Sequence, residues 1–565
     1  MHRHIMPHIH TSPYPAVQVP TNESFWQYVL RHNVDDTQPD TVIMQEHERP
    51  EKVFTYESIR RLVGLGADAF RDVLGLKQGD AIMVIGKNTL DFLHLQHAGL
   101  WAGITTALVN PSATTADLVH FVTTVQPGAI FADTGDVLAK ATEAVKSLGA
   151  AYTATKPVLV GIGSRDTAGL AFPDDFIKDA SKPYSAPVDL SSSDNRTAES
   201  IICFSSGTSG LPKAAVLSHH NMIGYLAVPR ASDPTMADGR TRDVFYAPVT
   251  HIYGMFTSLL PVFCGSYIRY LTNYSLHEYV KASVESEATV LRMVPATLVG
   301  MVKDPFVRQQ DFTRINTVLC AGAVLAPEMI VELRRMMPKV NLVQGYGMTE
   351  GCATILREYS AYRKQGSVGR LMSGVQMRVV DDDLNDVSEG ETGELLFTAK
   401  TVFIGYKNND AANAEAFPFG RPLDHDNRWL RTGDVGRIDS DGFLWLTDRK
   451  KDLIKYKGNQ VTPAELESVL LSHDMVTEAG VCATWNTEQL TEVPVGYVSL
   501  KPTVGVADRP KVLKDVLEFA NSKVSSTKKL RGGVFFLETM PRNPTGKLLR
   551  RQLPARLEAT RESKL

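Results

Sequence analysis

Residues 205–213 read Ser-Ser-Gly-Thr-Ser-Gly-Leu-Pro-Lys and directly follow the apolar run at 201–204. Glycines let backbone N–H groups approach a ligand closely, hydroxyls donate further hydrogen bonds, and a lysine brings positive charge to phosphate oxygens. The spacing of Gly207, Gly210 and Lys213 does not fit the Walker A pattern. A strand that opens into such a loop predicts a phosphate site, although the composition alone also suits a flexible Ser/Gly linker.

Four further motifs follow along the chain. They are Gln-Gly-Tyr-Gly-Met-Thr-Glu at 344–350, Arg-Thr-Gly-Asp at 431–434, Asp-Arg-Lys-Lys-Asp-Leu-Ile-Lys at 448–455 and Pro-Thr-Gly-Lys at 544–547. With the first loop, their order and spacing resemble the adenylate-forming superfamily of acyl-CoA synthetases, coumarate-CoA ligases, luciferases and peptide-synthetase adenylation domains. The resemblance runs from about residue 50 onward and is nearest to a peroxisomal acyl-CoA or aryl-CoA ligase.

Composition excludes several other functions. The 565 residues exceed one ordinary domain, and 43% hydrophobic with 22% charged residues describe a soluble globular protein. A formal net charge of −3 gives no field for wrapping a nucleic acid. No apolar run approaches the roughly 18 residues that a membrane-spanning helix needs.

Apolar segments typical of strands alternate with segments of helical period, which indicates βαβ units and a mostly parallel sheet. The predicted strands are 81–85, 129–132, 157–160, 244–247, 289–293, 317–320 and 341–344, and the predicted helices among them are 56–73 and 115–125. Closely spaced turns across 374–448 indicate a β-meander or barrel. Farther on, the pattern predicts helices at 463–471 and 511–523 and a strand at 480–483.

The predicted fold class is therefore α/β. We expect a large N-terminal domain of two βαβ-type lobes plus a β-barrel-like subdomain, followed by a small mobile α+β C-terminal domain. The expected boundaries are a leader at 1–49, an AMP-binding domain at 50–449 and a C-terminal domain at 450–565. The resemblance places a hinge at Lys450 and Lys451.

The resemblance implies ATP, Mg²⁺ and coenzyme A as reactants or cofactors. A carboxylate is a poor electrophile, and adenylation converts its oxygen into an AMP leaving group, so the site must neutralise two anions and align them. The implied ATP-binding residues are Ser205, Ser206, Gly207, Thr208, Ser209, Gly210, Lys213, Gln344, Gly345, Tyr346, Gly347, Thr349, Asp434, Arg449 and Lys547.

Individual roles also follow from the resemblance. Thr349 would contact the α-phosphate and Glu350 would hold Mg²⁺, a hard cation that prefers carboxylate and phosphate oxygens. Gly345 and Tyr346 would pack against adenine, while the residues at 434 and 449 would bind the ribose. Taken alone, Asp434 reads as a turn residue and Arg449 as a surface cation.

Four residues are expected to act at the reacting carboxyl group: Lys547, His251, Lys455 and Gln460. The lysine at 547 would serve adenylation, and the residues at 455 and 460 would serve attack by the CoA thiol after the small domain rotates. Lys457, Gly458 and Asn459 resemble the CoA-side surface of coumarate-CoA ligases, where an aromatic residue is common at the position of Asn459. A solvated turn is the alternative interpretation of this stretch.

The expected acyl pocket is uncharged. Residues 247–256 resemble the pocket wall of coumarate-CoA ligases and contain no Asp or Glu, so an amino acid, whose ammonium would be buried unpaired, is disfavoured. The expected lining is His251, Tyr253, Thr257, Ala321, Gly322, Ala323 and Met348. The small residues at 321–323 leave space for an aryl ring or a medium-length chain.

The chain ends in Ser563, Lys564 and Leu565, the tripeptide that the peroxisomal import receptor reads. We therefore expect the import receptor and a small carboxylic acid as partners, and the peroxisomal matrix as the location. Two alternatives stay open, a luciferase-like oxygenase and a non-catalytic nucleotide-binding regulator. A peptide-synthetase adenylation domain would normally feed a carrier domain, yet the chain stops soon after Lys547.

Overall fold

The computed structural model describes residues 8–149, 152, 154–163, 169–205, 211–234, 238–323, 325, 327–356, 362–424, 427–457, 459–487, 489–543 and 546–557. The strands are β1 (His10–Thr11), β2 (Val42–Glu46), β3 (Val53–Thr55), β4 (Ala81–Ile85), β5 (Thr105–Val109), β6 (Ala129–Asp133), β7 (Val158–Ile162), β8 (Leu170–Phe172), β9 (Glu199–Ser205), β10 (Lys213–Ser218), β11 (Arg242–Phe245), β12 (Tyr267–Tyr270), β13 (Val290–Met293), β14 (Thr317–Ala321), β15 (Asn341–Met348), β16 (Gly351–Leu356), β17 (Gly369–Leu371), β18 (Gln376–Val380), β19 (Gly393–Thr398), β20 (Gly405–Tyr406), β21 (Leu430–Ile438), β22 (Phe443–Arg449), β23 (Ile454–Tyr456), β24 (Asn459–Val461), β25 (Val476–Asn486), β26 (Thr491–Leu500) and β27 (Val534–Phe536).

The α-helices are α1 (Phe25–Arg31), α2 (Ser58–Leu74), α3 (Leu90–Ala102), α4 (Thr115–Val125), α5 (Asp136–Lys146), α6 (His219–Ser232), α7 (Ile252–Cys264), α8 (Leu276–Glu285), α9 (Pro295–Lys303), α10 (Pro327–Met336), α11 (Asp410–Ala416), α12 (Pro463–Leu471) and α13 (Arg509–Lys523). Short 3₁₀ turns lie at Val307–Gln309, Val506–Asp508, Ser526–Lys528 and Arg550–Gln552. No helix in the described ranges combines the length and apolar character needed to cross a bilayer.

The first α/β lobe is an eight-stranded sheet in the order β20-β10-β9-β5-β4-β6-β7-β8. Its strands from β9 to β8 are parallel, and β10 and β20 extend one edge in antiparallel pairing. The predicted strands at 81–85 and 129–132 and the predicted helix at 115–125 are confirmed. That helix begins with a capping box, since Thr114 and Asp117 each accept the other's backbone N–H.

The second sheet has fourteen strands in the order β1-β18-β19-β21-β22-β17-β16-β15-β14-β13-β11-β12-β2-β3. Its α/β half pairs β2, β12, β11, β13, β14 and β15 in parallel. The predicted β-meander is present as the antiparallel strands β18, β19, β21 and β22. It differs from the expected barrel-like subdomain because β17 joins β22 to β16, which makes the meander continuous with the α/β half.

The C-terminal part has its own sheets and its own core. The hairpin β23–β24 pairs only within itself, and β25, β26 and β27 form a separate three-stranded sheet. Helices α12 and α13 pack on this sheet around a cluster that includes Leu466, Leu470 and Val516. The helix predicted at 463–471 is confirmed at both ends. The mixed α/β fold, with a large N-terminal part and a smaller C-terminal part, is thus confirmed, while the boundary at 449/450 stays a prediction.

Candidate active site

The site is a cleft of about 910 Å³. Its walls come from the end of β9, the start of β10, the first turn of α7, strands β14 to β16 and strands β21 and β22. Residues 542, 543 and 546–551 near the C-terminus complete the lining. Segments distributed between residues 205 and 551 therefore line a single cavity, and its volume lies in the range typical of ligand sites.

The motif at 344–350 forms the end of β15 and the turn into β16. Gly347 relieves crowding there, because a Cβ atom would lie 3.1 Å from both the Cys352 Cα and the Gly351 carbonyl oxygen, which is closer than most Cβ contacts. Ala321 of β14 pairs with Gly345 of β15. The two predicted glycine-containing segments are therefore neighbours across a parallel strand pair.

Asp434 lies behind the cleft wall and is held by two lining residues. The Tyr346 hydroxyl donates to Asp434 Oδ2 at 2.7 Å, and Arg449 Nε lies 3.3 Å from Oδ1. Asp434 and Arg449 face each other across β21 and β22. Gly433, in the left-handed region with φ +71°, precedes the aspartate. The structure brings together three predicted residues that are up to 103 positions apart (449 − 346 = 103).

The phosphate side of the cleft gathers Ser205, Lys213, Glu350 and a residue that the sequence did not single out, Tyr406. The Tyr406 hydroxyl donates to Glu350 Oε1 at 2.6 Å, and Lys213 Nζ lies 5.0 Å from the Tyr406 ring centroid. Burial, reinforced by the charge of Glu350, raises the pKa of Tyr406, so its hydroxyl stays protonated. Five predicted loop residues, Ser206, Gly207, Thr208, Ser209 and Gly210, lie outside the described residues.

A second charged cluster flanks Asp434. Both nitrogens of the Arg431 fork donate to the two Glu394 oxygens at 2.8 Å, and Lys450 Nζ donates to Glu394 Oε2 at 2.8 Å. Burial opposes ionisation of Glu394, but Arg431 and Lys450 together hold its pKa below its usual value. This cluster ties the predicted hinge residue Lys450 to β19 and β21.

Lys547 reaches the cleft from a tight loop. Its backbone N–H donates to Asn543 Oδ1 at 2.8 Å, its carbonyl accepts from the Asn543 N–H at 2.9 Å, and Gly546 has φ +81°. The lysine side chain is accessible inside the cleft, yet the surrounding protein lowers its pKa to about 8, with Arg449 as the next cause. Pro544 and Thr545 of this motif lie outside the described residues.

Arg550 anchors the Lys547 loop. It donates to Glu467 Oε1 and Oε2 at 2.8 and 2.7 Å, and it lies 3.1 Å from Asp452 and 3.4 Å from Asp448. Glu467 belongs to α12, Asp448 lies in β22, and Asp452 follows that strand. The bidentate pair with Glu467 fixes the loop to α12, and the contacts with Asp448 and Asp452 link it to the residues that flank the predicted hinge.

His251 is the N-cap of α7, and its Nδ1 accepts the Tyr253 backbone N–H at 3.3 Å. Burial lowers the pKa of His251 to about 4, and the charge of Lys547 contributes in the same direction. The imidazole is thus neutral at neutral pH and carries its proton on Nε2. Gly254 permits this turn, because a Cβ atom would lie 2.2 Å from the Pro248 carbonyl oxygen.

Most of the predicted acyl pocket lines the cleft, namely His251, Tyr253, Ala321, Gly322, Ala323 and Met348. Thr257 does not belong to this wall. It is fully buried, and its hydroxyl donates to the Tyr253 carbonyl within α7 at 2.8 Å. Its position one turn beyond Tyr253 put it on the right side of the helix, but the intrahelical hydrogen bond turns its hydroxyl to the backbone.

The predicted CoA-side residues do not reach the cleft in this arrangement. Lys455, Lys457, Asn459 and Gln460 are exposed on the hairpin β23–β24, where Lys455 pairs with Gln460. Gly458 lies outside the described residues. The hairpin is held to β26, since the Lys455 N–H donates to Glu492 and the Lys457 N–H donates to Thr491.

Three residues of the site, Tyr406, Arg431 and Arg550, were not predicted because the sequence around them gives little indication of a binding role. Tyr406 is an aromatic residue in an unremarkable strand, and only its pairing beside β10 brings it to Lys213. Arg431 is the first residue of the motif at 431–434, in which the sequence predicted a binding role only for Asp434. Arg550 follows Lys547 by three positions, so the lysine motif could have directed attention to it.

Comparison with known families agrees with this geometry. The model of AMP-binding enzymes matches residues 30–407, and the model of the C-terminal domain of AMP-binding enzymes matches residues 465–547. The chain belongs to the AMP-binding enzymes. Members similar to it include peroxisomal OPC-8:0-CoA ligase 1 of Arabidopsis thaliana, 32% identical over 88% of both chains. Probable 4-coumarate–CoA ligase 2 of Dictyostelium discoideum is 30% identical over 96% of this chain and 97% of that protein.

A solved structure confirms the fold of this AMP-binding enzyme. The anthranilate CoA ligase AuaEII in complex with anthranoyl-AMP superposes with a TM-score of 0.81 over 97% of this chain and 99% of that one, at 18% identity. The AMP-binding enzyme described here is an ATP-dependent, adenylate-forming acid–thiol ligase.

Proposed function

We propose that this enzyme joins an apolar carboxylic acid, either medium-chain acyl or aryl, to coenzyme A through an acyl-adenylate, releasing AMP and pyrophosphate. One observation carries the proposal. Lys547, from the C-terminal part, shares a cleft with the Asp434–Tyr346–Arg449 cluster and with an uncharged wall that begins at His251. The lysine, the cluster expected to bind the nucleotide and the apolar wall therefore lie in one cleft, as adenylation of an apolar acid requires.

In the first step a carboxylate oxygen of the acid attacks the α-phosphorus of ATP. The new oxygen–phosphorus bond forms as the bond to the β-phosphate oxygen breaks, and pyrophosphate leaves with both bonding electrons. Lys547 neutralises the approaching carboxylate and the α-phosphate, and His251 donates through Nε2–H to the carboxylate. Lys213 neutralises the charge of the outer phosphates. Ser205 and the hydroxyls and N–H groups of the loop at 206–210 donate hydrogen bonds to the same phosphates.

The nucleoside is held by the strands on the other side. Gly345 and Tyr346 pack against adenine, with Gln344 and Gly347 shaping the same wall. Asp434 accepts hydrogen bonds from the ribose hydroxyls, and Arg449, which is paired with that carboxylate, donates to the same sugar. Thr349 contacts the α-phosphate.

Mg²⁺ fits the donor set at Glu350. The described residues hold no cluster of three or more His, Cys, Asp or Glu side chains suited to a metal, but Mg²⁺ needs only one or two carboxylates when substrate phosphates complete its shell. Tyr406 occupies Oε1 of Glu350, which leaves Oε2 for the ion. When bound, Mg²⁺ neutralises phosphate charge and orients the pyrophosphate leaving group.

In the second step the CoA thiol attacks the acyl carbon of the adenylate, the thioester bond forms, and AMP leaves. Lys455 and Gln460 act at this centre after the C-terminal part turns about Lys450 and Lys451, and Lys457, Gly458 and Asn459 contact CoA. The arrangement of the charged hairpin on the outer surface supports a turn, because these side chains have no access to the cleft as they stand.

The acyl pocket supports an apolar acid. Its wall carries His251, Tyr253 and Met348 with no carboxylate, and the run of small residues at 321–323 leaves room for a ring or chain. The peroxisomal matrix is the proposed location, reached when the import receptor binds Ser563, Lys564 and Leu565, which lie outside the described residues. One relative's name includes the word peroxisomal, which supports this location.

The test is pyrophosphate release with ATP and Mg²⁺ across straight-chain, branched and aryl acids, each with and without CoA. We expect turnover with a subset of apolar acids, rising with CoA and yielding acyl-CoA and AMP. Light or oxygen uptake with luciferin, without thioester formation, would favour a luciferase-like oxygenase. ATP binding without pyrophosphate release for any acid would favour a non-catalytic regulator.

A further inference from the structure

Asp448 receives contacts from the part of the chain that lies beyond the proposed hinge. It belongs to β22 in the fourteen-stranded sheet, two positions before the hinge at 450–451. Its Oδ2 accepts the Ala464 backbone N–H at 3.2 Å, and Arg550 Nη1 lies 3.4 Å from its Oδ1. Ala464 and Arg550 both lie in the C-terminal part, so one carboxylate of the N-terminal part holds two elements of the C-terminal part.

The first of these elements is the N-terminus of α12. The N–H groups of a first helical turn have no partner within their own helix, and the N-cap residue Thr462 makes no side-chain hydrogen bond to them. Pro463 at the first position has no N–H, so the Ala464 N–H is the first that needs an acceptor. Asp448 supplies this acceptor from another sheet, and its negative charge suits the positive end of the helix dipole.

The second element is Arg550, whose other partners lie on its own side of the hinge. Its bidentate pair with Glu467 and its contact with Asp452 are both formed beyond residue 451, so a turn of the C-terminal part leaves the guanidinium paired. Asp448, whose side chain is 5% exposed, would lose this cation and keep the hydrogen bond from the Arg449 N–H at 2.7 Å. A buried carboxylate that loses its cation is costly. Asp448 therefore favours the arrangement described here.

We propose that Asp448, the Ala464 N–H and Arg550 form a latch that holds Lys547 in the cleft for adenylation and must open before the CoA thiol attacks. This inference rests on the proposed ligase function and adds Asp448 as a positioning residue that acts through α12 and Arg550. Because Arg550 also anchors the Lys547 loop, the latch bears directly on the position of that lysine. Burial raises the pKa of Asp448 and Arg550 opposes the rise, so the carboxylate relies on this partner for its charge.

The first test is Asp448→Asn, which keeps the shape of the side chain and an oxygen for the Ala464 N–H but loses the charge that pairs with Arg550. The latch should then open more readily. Pyrophosphate release should fall about three- to tenfold, the typical net effect of one hydrogen bond, and thioester formation from supplied acyl-adenylate and CoA should rise. A residue that only supports the fold would lower both reactions, so the opposite signs identify a latch.

A distance measurement tests the latch without catalysis. Spin labels on cysteines introduced at Arg240 in the N-terminal part and at Lys514 on α13, whose side chains are 90% and 77% exposed, report the separation of the two parts. We expect one main distance in the protein with the intact latch and a second population in Asp448→Asn. Asp91→Asn is the matched control, because Asp91 is also 5% exposed, lies in the first turn of α3 and pairs with Lys52 within the N-terminal part. It should change neither the distances nor the balance of the two reactions.

A second variant weakens the latch without altering Asp448. Thr462→Asn gives α12 an N-cap whose side-chain oxygen accepts N–H groups of the first turn, so it competes with Asp448 while the helix keeps its cap. It should shift the two reactions in the same directions as Asp448→Asn, but by less.

An unaltered distance distribution in Asp448→Asn, or equal losses in both half-reactions, would overturn the latch and assign Asp448 to packing. A second distance population in Asp448→Asn, together with no pyrophosphate release by the unaltered protein for any acid, would instead support the latch and overturn the ligase function.

Discussion

Two lysines of the C-terminal part have opposite surroundings. Lys547 projects into the cleft from a loop fixed by Asn543 and Arg550, and the surrounding protein lowers its pKa to about 8. Lys455 is exposed on a two-stranded hairpin that is held to β26. Both have a proposed role at one carboxyl group, yet only one is near it.

This difference teaches that a single rigid arrangement cannot serve both proposed steps. Arg550 ties the Lys547 loop to Glu467 and Asp452, which both lie beyond the proposed hinge, so the loop and helix α12 are bonded as a unit. A turn that brings the Lys455 hairpin to the cleft must therefore withdraw Lys547. We infer that adenylation and thioester formation exclude each other in time.

The largest expected effect is on Lys547. Lys547→Ala removes the ammonium at the reacting carboxylate and should lower adenylation by about 10²- to 10³-fold, by analogy with the loss of a single charge-stabilising donor. Thioester formation from supplied acyl-adenylate and CoA should be largely spared. Pyrophosphate release measures the first reaction and acyl-CoA formation the second; equal losses in both would remove the contrast between the two lysines.

The reciprocal change tests the other lysine. Lys455→Ala should slow thioester formation from acyl-adenylate by roughly 10- to 100-fold, because the proposed role at the thioester centre is lost, and should leave adenylation unchanged. Lys457→Ala on the same hairpin is the comparison variant, expected to alter the KM for CoA more than the rate. An adenylation defect in Lys455→Ala would contradict the assignment.

Proton binding sharpens the same comparison. Since the pKa of Lys547 is about 8, its ammonium is present below that pH, and kcat/KM for adenylation should fall about tenfold per unit above it. Bound ATP adds negative charge and raises the pKa of Lys547. The alkaline fall in kcat should therefore occur at higher pH than the fall in kcat/KM. Lys547→Arg stays cationic, so its profile should lack the alkaline limb. A wild-type profile flat to pH 10 would contradict this expectation.

The smallest expected effect is on Tyr406. Tyr406→Phe removes the hydrogen bond to Glu350 Oε1 but keeps the ring beneath Lys213. We expect the half-saturating Mg²⁺ concentration to rise about three- to tenfold, the typical net effect of one hydrogen bond, with little effect on thioester formation. Tyr362→Phe, whose hydroxyl donates to the Val340 carbonyl away from the cleft, is the control. An unaltered Mg²⁺ dependence would show that Glu350 is not oriented by Tyr406.

Sequence patterns predicted the elements well where local signals were strong. The helix at 115–125 has an N-terminal capping box and an apolar face, and both of its ends were predicted correctly. The strand at 81–85 is apolar throughout because both faces of the sheet are covered. The prediction of a barrel-like subdomain was less accurate. Turn spacing indicates a meander, but it does not reveal β17, the strand that joins the meander to the rest of the sheet.

Within the site, motif order brought the right residue types to notice, but not their geometry. Thr257 was predicted to face the acid, yet its hydroxyl is bound to its own helix. The partnerships of Tyr406 with Glu350 and of Arg550 with Glu467 join positions 56 and 83 residues apart. Such long-range pairs leave no local periodic signal.

The sequence by itself determined the α/β class, the order of the phosphate, nucleoside and lysine motifs, and the uncharged character of the acyl wall. These depend on residue type and local spacing, which govern backbone propensity and charge. Only the tertiary structure decided that Lys547 lies in the cleft while Lys455 lies outside it. The physical reason is that burial, like-charge proximity and unmet hydrogen bonds arise only when segments distant in the chain are packed together.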